Sequence, residues 1–240
     1  MTEENIRLSK LLSSWGFASR RKVEELISEG RIVVDGILVE EQGLKVDPAN
    51  VKIEVDGNEI SSDKAGLQIF AFHKPPNVLS SLKDDFGRKT LSDFIKHLPR
   101  VFPIGRLDYD TTGLILLTNQ GELANKLLHP RYKVEKEYFA TVSGKPLTKE
   151  EMIRFSQGIE LEDGLTAPCT IKFVKENSYQ VVLREGRKRQ VKRMFQFFYL
   201  RVESLVRTSF GPIHLGNLPE GKLRSLTDKE IRNLTNSISV

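Results

Sequence analysis

Apolar side chains near the N-terminus recur at the spacing of an amphipathic helix. Leu8, Leu11, Leu12 and Trp15 fall at positions i, i+3, i+4 and i+7, which predicts a helix over residues 6–15. Gly16 is expected to end this helix.

A second helical pattern follows directly. Val23, Leu26 and Ile27 share one face, Ser19 is a suitable N-cap, and Gly30 is expected to stop the helix. These features predict a pair of short helices within the first 30 residues.

The pattern then changes to that of β-strands. Residues 32–39 are apolar except for an Asp-Gly pair at 35–36, and residues 51–55 alternate before a second Asp-Gly pair at 56–57. Both pairs are hairpin signals. Residues 61–66 are rich in Ser, Asp and Gly, so we predict that residues 1–66 form a small α+β module and its linker.

The remainder, residues 67–240, mixes strand and helix patterns without a regular βαβ rhythm. Thr90 is a suitable N-cap for the helix near 91–95, and the prolines at 75–76 are expected to end the first strand. We therefore predict an α+β domain with a mixed, mainly antiparallel sheet. The predicted strands are 69–72, 114–118, 137–142, 171–174 and 180–183, and the predicted helices lie near 91–95, 123–128 and 191–200.

Composition narrows the functional classes. The 240 residues include no apolar run of about 20, as a membrane span would need, and the N-terminus has no apolar segment typical of a secretory signal. Cys169 is the single cysteine, which excludes an internal disulfide and a cysteine metal cluster. The four histidines have no ligand spacing. We expect a cytoplasmic protein that uses neither metal nor organic cofactor.

Positive charge is concentrated in two segments. The net charge is +5, which favours a polyanionic partner. Six cations lie within residues 184–193, and Arg20, Arg21 and Lys22 begin the second predicted helix. Cations are unfavourable at a helix start, so this cluster is either a phosphate-binding surface or an ordinary solvated helix end.

The first module resembles an S4 RNA-binding domain. The resemblance rests on Ile-Arg-Leu-Ser-Lys-Leu-Leu at 6–12, Gly-Phe-Ala-Ser-Arg-Arg at 16–21 and Gly-Arg-Ile-Val-Val-Asp-Gly at 30–36. It implies docking on structured RNA through backbone and shape. The residues expected to contact RNA are Arg7, Lys10, Arg20, Arg21, Lys22 and Arg31.

Asp108 is the most informative acidic residue of the second domain. It lies in Gly-Arg-Leu-Asp-Tyr-Asp-Thr-Thr-Gly at 105–113, before an apolar strand. A carboxylate beside Arg106 can be held ionised and can act as a nucleophile or base. The same segment can also be an ordinary polar turn closed by glycine. The role of Tyr138 also has two interpretations, because its side chain can act in a functional site or pack at a sheet edge.

Four ordered motifs resemble the pseudouridine synthases of the ribosomal small- and large-subunit family. They are Lys-Pro-Pro at 74–76, the 105–114 segment with Thr-Asn-Gln-Gly-Glu-Leu at 118–123, Lys-Glu-Tyr at 136–138, and Glu-Gly-Arg at 185–187 with Gln-Val-Lys-Arg-Met at 190–194. The resemblance implies the pseudouridine synthase fold and spans almost the whole chain.

The resemblance also implies roles for individual residues. Asp108 matches the aspartate that attacks the target nucleotide at C1′ of the ribose, and Tyr138 matches the tyrosine that stacks on the flipped uracil. Lys192 matches a basic position that pairs with the aspartate, although many relatives carry arginine there. Further RNA contacts are expected from Lys74, Arg106, Arg187, Arg189 and Arg193.

The implied substrate is ribosomal RNA. Residues 121–130 are most similar to large-subunit synthases, which favours 23S rRNA, whereas residues 190–195 also occur in the small-subunit type, which keeps 16S rRNA open. Other hypotheses are tRNA modification and a non-catalytic RNA-binding protein of ribosome assembly. We expect a monomer that acts on naked rRNA or on an assembly intermediate, with no membrane partner.

Overall fold

The computed structural model describes residues 5–61 and 66–238. The chain separates into two compact units, Met1–Leu67 and Gln68–Val240. The predicted linker over 61–66 falls largely on residues 62–65, which lie outside the described residues.

The first unit begins with the predicted helix pair. Helix α1 starts at Leu8, later than predicted, because Ile6 and Arg7 form a short strand paired with Val46 and Lys45. Ser19 caps α2, since its Oγ accepts the Lys22 N–H at 3.1 Å. The elements are β1 (Ile6–Arg7), α1 (Leu8–Ser14) and α2 (Arg20–Ser28).

A small antiparallel sheet, ordered β3-β2-β5-β6, completes the first unit. Both Asp-Gly pairs form its hairpin turns, with Asp35 and Asp56 at φ +51° and +53°. The buried faces of α1, α2 and this sheet share one core that includes Leu12, Val23 and Ile53. The four strands are β2 (Ile32–Val34), β3 (Ile37–Leu38), β5 (Ile53–Val55) and β6 (Asn58–Ile60), whereas β4 (Lys45–Val46) pairs with β1.

The second unit is built on a nine-stranded mixed sheet whose main path is β13-β14-β10-β15-β9-β7-β17. Only β15 and β9 pair in parallel among its described pairings, which confirms the predicted α+β class with a mainly antiparallel sheet. The nine strands are β7 (Ile69–Lys74), β8 (Phe102–Ile104), β9 (Thr112–Thr118), β10 (Lys136–Ser143), β13 (Thr170–Lys175), β14 (Ser178–Leu183), β15 (Arg201–Phe210), β16 (Ile213–His214) and β17 (Leu223–Ser225). A separate hairpin pairs β11 (Glu160–Leu161) with β12 (Gly164–Leu165).

Two apolar clusters hold helices to this sheet. In one, Phe155 and Tyr179 pack against Phe195 with ring centroids 5.0 and 5.4 Å apart. In the other, Phe72 packs against Phe94 at 5.3 Å. The helices are α3 (Ser92–Ile95), α4 (Gly121–Leu128), α5 (Lys149–Gln157), α6 (Gln190–Phe197) and α7 (Asp228–Asn236), with a short 3-10 helix at Pro130–Tyr132. No helix among the described residues is long and apolar enough to cross a membrane.

Several elements differ from the sequence prediction. Strand β7 continues to Lys74, and α6 ends at Phe197 rather than at residue 200. Thr90 is not the N-cap of α3, because its side chain contacts Ser92 while its backbone N–H donates to Asp93. Strand β15 and helices α5 and α7 were not predicted.

Strands β9 and β15 approach most closely at Gly113. Its φ of +105° favours glycine, and a Cβ added there would collide with the backbone of Arg207 on the neighbouring strand. The pairing of Gly113 with Arg207 therefore requires the absence of a side chain.

Gly113→Ala should destabilise the second unit more than Gly164→Ala does. Gly164 has a similar φ of +99° but open space around its missing Cβ, so its variant should lose only about 1–2 kcal/mol from backbone strain. Gly113→Ala adds a steric collision and should lose roughly 1–3 kcal/mol more. Chemical denaturation measures both free energies of unfolding, and equal losses would contradict the close approach.

Candidate active site

A cavity of about 740 Å³ opens in the second unit and contains the most informative acid of the sequence. Asp108 is half-buried and is the single carboxylate among the described residues that line this cavity. The lining also holds six cationic side chains, namely Arg106, Lys136, Arg187, Lys188, Arg189 and Arg207. The volume is within the range of small-molecule sites, and the excess of positive charge suits an anionic ligand.

The segment that carries Asp108 is held by hydrogen bonds on both sides of it. Ser80 Oγ donates to Leu107 O at 2.8 Å and accepts the Leu107 N–H at 2.9 Å. The Thr111 N–H donates to Asp108 O at 3.1 Å, which closes a turn. The carboxylate is therefore presented on a fixed backbone, as a positioned nucleophile requires.

Lys74 supports this segment from inside the protein. Its side chain is fully buried, and its Nζ donates to Pro75 O at 2.8 Å and to Tyr109 O at 3.2 Å. Burial lowers the pKa of Lys74 to about 8, although the nearby Asp110 and Asp108 charges raise it in part. This position does not favour the predicted RNA contact of Lys74, because its amine is buried and bonded to main-chain carbonyls.

The ion pair of Lys192 also differs from the expectation. Its Nζ lies 2.5 Å from Asp110 Oδ1, and no ion pair joins it to Asp108 among the described residues. Arg189 Nη1 lies 3.7 Å from the other Asp110 oxygen. Burial alone would raise the pKa of Asp110, but the hydrogen bond and charge of Lys192 outweigh it and hold the pKa below its usual value. Lys192 therefore fixes the segment two residues beyond Asp108.

Tyr138 lies in the same cavity as Asp108. It occupies β10, is half-buried, and packs against both apolar clusters of the unit. Across the sheet it is opposite Arg207 on β15. The structure thus brings Asp108, Tyr138 and Arg106 to one cavity.

Two arginines predicted to contact RNA are engaged within the protein. Arg187 donates to the carbonyls of Gly164 and Leu165 at 2.8 and 2.5 Å. Arg193 forms a two-bond pair with Asp163 at 2.8 and 3.0 Å. Both guanidinium groups hold the β11–β12 hairpin against the basic segment over 184–193. These contacts give both side chains a structural role. Arg187 still lines the cavity, whereas Arg193 does not.

The basic segment over 184–193 is ordered by a buried amide that the sequence reasoning did not select. Gln190 Oε1 accepts the Arg187 N–H at 3.0 Å, and its Nε2 donates to Glu185 at 2.6 Å. Arg189 precedes α6 at φ +53°, a conformation disfavoured for arginine. This strained turn directs Arg189 toward Asp110.

Further residues of the cavity lining were not predicted from the sequence, among them Lys136, Arg207 and Thr111. Lys136 is two residues before Tyr138 on the same strand, so β alternation could have placed it on the same face. Arg207 carried no such signal, because β15 itself was not recognised. In the described part of the chain, no group of three or more His, Cys, Asp or Glu side chains could hold a metal ion.

The first unit has a separate cleft of about 640 Å³ that collects four of the residues predicted to contact RNA. Arg7, Lys10, Arg20 and Arg21 line this cleft, whereas Lys22 and Arg31 do not.

Those two cations have acidic partners within the unit. Lys22 pairs with Glu25 at 2.8 Å, and Arg31 pairs with Glu29 and Asp56 at 2.8 and 2.6 Å. In contrast, neither Arg20 nor Arg21 forms an ion pair with another described residue. Because Glu24, Glu25 and Glu29 also line the cleft, Arg20 and Arg21 are the groups of the cleft best suited to phosphate.

This fold and site define a class of RNA-modifying isomerases. A family model described as RNA pseudouridylate synthase matches residues 68–197, and an S4 domain model matches residues 6–51. The chain belongs to the RNA pseudouridylate synthase family, which confirms the resemblance noted in the sequence.

Individual relatives cover nearly the whole chain. It is 45% identical over 235 residues to ribosomal large subunit pseudouridine synthase B of Bacillus subtilis (strain 168), with 95% of each chain covered. It is 36% identical over 235 residues to the dual-specificity RNA pseudouridine synthase RluF of Escherichia coli (strain K12), covering 98% of this chain and 80% of the relative. A crystal structure of a pseudouridylate synthase superposes with a TM-score of 0.70 at 27% identity, covering 95% of this chain and 99% of the other.

The buried amine of Lys74 predicts a pH dependence of stability. Its pKa of about 8 in the folded protein is below its ordinary value of 10.5, so between these pH values the unfolded chain binds more protons there. The free energy of unfolding should therefore gain a contribution that rises with pH across this window. Lys74→Met should remove that contribution.

Denaturation of wild type and variant from pH 8 to pH 10.5 measures the difference. The exposed Lys145→Met serves as the control, since it removes the same group from the surface. Parallel curves for wild type and Lys74→Met would show that the amine is not desolvated in solution.

Proposed function

We propose that this protein converts a specific uridine of 23S rRNA to pseudouridine, with Asp108 as the nucleophile. The observation that carries the proposal is the cavity in which Asp108 is the one carboxylate among many cations of the described lining. A hydrolytic glycosidase generally requires two carboxylates, whereas base isomerisation activates no water. The similarity to a ribosomal large subunit synthase supports 23S rRNA over 16S rRNA.

In the proposed reaction the target uridine leaves its helix or loop and enters the cavity. Extrusion costs a few kcal/mol, which stacking and phosphate contacts offset. The exposed Arg106, two residues before Asp108, is suited to hold the RNA backbone beside the opening. The Asp108 carboxylate attacks C1′ while uracil detaches, turns and rejoins through C5.

The remaining side chains keep the detached base in place. Tyr138 lines the cavity, and its proposed role is to stack on uracil and take part in proton transfer. Lys192 and Arg189 bind Asp110 and thereby hold the nucleophile segment from its far end. A closed pocket is needed because water would otherwise hydrolyse the intermediate.

We assign rRNA docking to the first unit and catalysis to the second. The cleft lined by Arg7, Lys10, Arg20 and Arg21 supports phosphate binding. The protein is proposed to act as a monomer in the cytoplasm, where rRNA is assembled into ribosomes. A 16S rRNA synthase is the second candidate, since residues 190–195 are also of the small-subunit type.

Asp108→Asn should abolish tritium release from 23S rRNA that carries 5-tritiated uridine. The amide removes the nucleophilic oxygen pair but keeps the shape, so RNA affinity should stay within about twofold, because the phosphate contacts that dominate it remain. The wild type should release tritium from the 23S transcript and not from the 16S transcript.

Asp228→Asn is the matched control, because Asp228 is an exposed acid in the first turn of α7 and outside the cavity. Unchanged release by Asp108→Asn would exclude it as the nucleophile. Tritium release from 16S rRNA alone would show that the substrate is the small-subunit rRNA and not 23S rRNA. Absence of release from either rRNA, with RNA binding intact, would favour the non-catalytic assembly protein.

The double variant Arg20→Gln/Arg21→Gln should weaken rRNA binding and reduce its dependence on salt. Removing one phosphate contact lowers the slope of log affinity against log salt by about 0.7–0.9. The expected decrease is thus roughly 1.4–1.8 when both arginines are replaced. Filter binding of the full chain at several salt concentrations measures this slope.

Lys52→Gln is the control in the same unit, since Lys52 pairs with Glu54 and Glu59 and does not line the cleft. An unchanged slope for the double variant would exclude Arg20 and Arg21 as phosphate contacts and leave the solvated helix end as the explanation of that cluster.

A further inference from the structure

Two buried polar atoms in the catalytic cavity have no hydrogen-bond partner among the described residues. They are Arg207 Nη2 and Thr111 Oγ1. Both residues line the cavity, and they are only 2% and 1% exposed. Buried polar groups are almost always hydrogen-bonded, and these two atoms belong to residues of one cavity lining, where a bound ligand can supply their partners.

Arg207 is hydrogen-bonded at Nε, whereas its buried Nη2 has no partner among the described residues. It lies on β15 between Tyr138 of β10 and Gly113 of β9, so its side chain belongs to the strand positions that carry the site. Its Nε donates to Leu114 O at 2.7 Å, and its guanidinium carbon lies 5.4 Å from the Phe210 ring centroid. The orientation of the guanidinium is thus fixed, while Nη2 has no hydrogen-bond partner among the described residues.

A second buried cation lies against the same aromatic ring. Lys136 Nζ is 5.6 Å from the Phe210 centroid and donates to Val134 O at 2.9 Å. Burial lowers the pKa of Lys136 to about 8, and the neighbouring Arg207 charge also lowers it, while Glu185 acts in the opposite sense. The floor of the cavity therefore carries positive charge that favours an oxygen with negative charge.

We propose that Arg207 Nη2 and Thr111 Oγ1 form the subsite that recognises the polar edge of the flipped uracil. Arg207 donates to a carbonyl oxygen of the ring and stabilises the charge that the ring acquires in the reaction. Thr111, which is three residues after Asp108, bonds the same ring. This inference rests on the proposed function and names the groups that bind the departing base.

The chemistry explains why a cation is useful there. As the bond from Asp108 Oδ to C1′ forms, the C1′–N1 bond breaks and its electron pair stays on uracil as an anion delocalised onto the ring oxygens. After the ring turns, C5 bonds to C1′ and the Asp108 ester bond breaks. The proton of C5 leaves and N1 gains one, so no water or oxidant is consumed. A fixed donor at a ring oxygen lowers the energy of the charged state in a site that excludes water.

Arg207→Met should lower the single-turnover rate of tritium release from 5-tritiated 23S rRNA about 100-fold or more. The affinity for that RNA, measured by filter binding, should change less than about threefold because the phosphate contacts remain. Arg207→Lys restores the charge and should be at least about tenfold faster than Arg207→Met. Thr111→Val, which keeps the shape and removes the hydroxyl, should lower the rate about tenfold.

The control is Arg201→Met, which removes an 83% exposed arginine from the same strand outside the cavity and should leave the rate unchanged. Circular dichroism and denaturation test whether losing the hydrogen bond to Leu114 O unfolds Arg207→Met. If it does, the rates of tritium release by Thr111→Val and Arg207→Lys test the proposal instead.

The inference is overturned if the rates of the folded Arg207 and Thr111 variants lie within about threefold of wild type, or if only their RNA affinity falls. It is also overturned if Arg207→Lys is no faster than a folded Arg207→Met. Asp108→Asn is assayed in parallel. If Asp108→Asn is inactive while Arg207→Met is active, the proposed uracil subsite is excluded and the proposed function stands. If Asp108→Asn is active, Asp108 is excluded as the nucleophile.

Discussion

The short parallel pairing of β9 with β15 is the constraint on which the site depends. Two register pairs, Val206 with Thr112 and Arg207 with Gly113, join two antiparallel halves of the sheet. Gly113 allows this close approach because it has no side chain to collide with the Arg207 backbone. The segment with Asp108 enters β9 at this point, and Tyr138 lies across β15 from it. The pairing therefore sets the distance between the proposed nucleophile and the proposed stacking residue.

Main-chain carbonyls, rather than carboxylates, accept the hydrogen bonds of three buried cations around the cavity. Lys74 donates to Tyr109 O, Lys136 to Val134 O and Arg207 to Leu114 O. A carbonyl satisfies a donor without cancelling its charge, so the wall keeps a positive potential in a medium of low dielectric. That potential suits a polyanionic chain and a base that becomes negative as it departs. The same carbonyl bonds fix the backbone around Asp108, so stability and charge arise from the same contacts.

The sequence alone predicts the structure correctly where side-chain periodicity and local turn chemistry determine it. The helices of the first unit, the Ser19 cap and both Asp-Gly hairpins follow from such short-range rules, and the resemblance added the family. Helices α5 and α7 could also have been found, because each begins with a capping box, Thr148 with Glu151 and Thr227 with Glu230. The partners of individual charges could not be found in this way. Lys192 binds Asp110 instead of Asp108, and Lys74 turns inward, because the outcome depends on which backbone passes nearby in three dimensions.

Strand β15 was not predicted from the sequence pattern, and the reason bears on function. Its buried positions from 205 to 209 are occupied by leucine, arginine and serine, so the alternation of apolar residues expected of a half-buried strand is absent. A sheet selected for stability alone would carry apolar side chains at 207 and 209, since an unsatisfied buried cation is costly. The strained turn at Arg189 lies at the same cavity, as does the Thr111 hydroxyl, which has no hydrogen-bond partner in the described part of the chain. Several departures from local rules therefore meet at this cavity, which is typical of a site that is completed by its substrate.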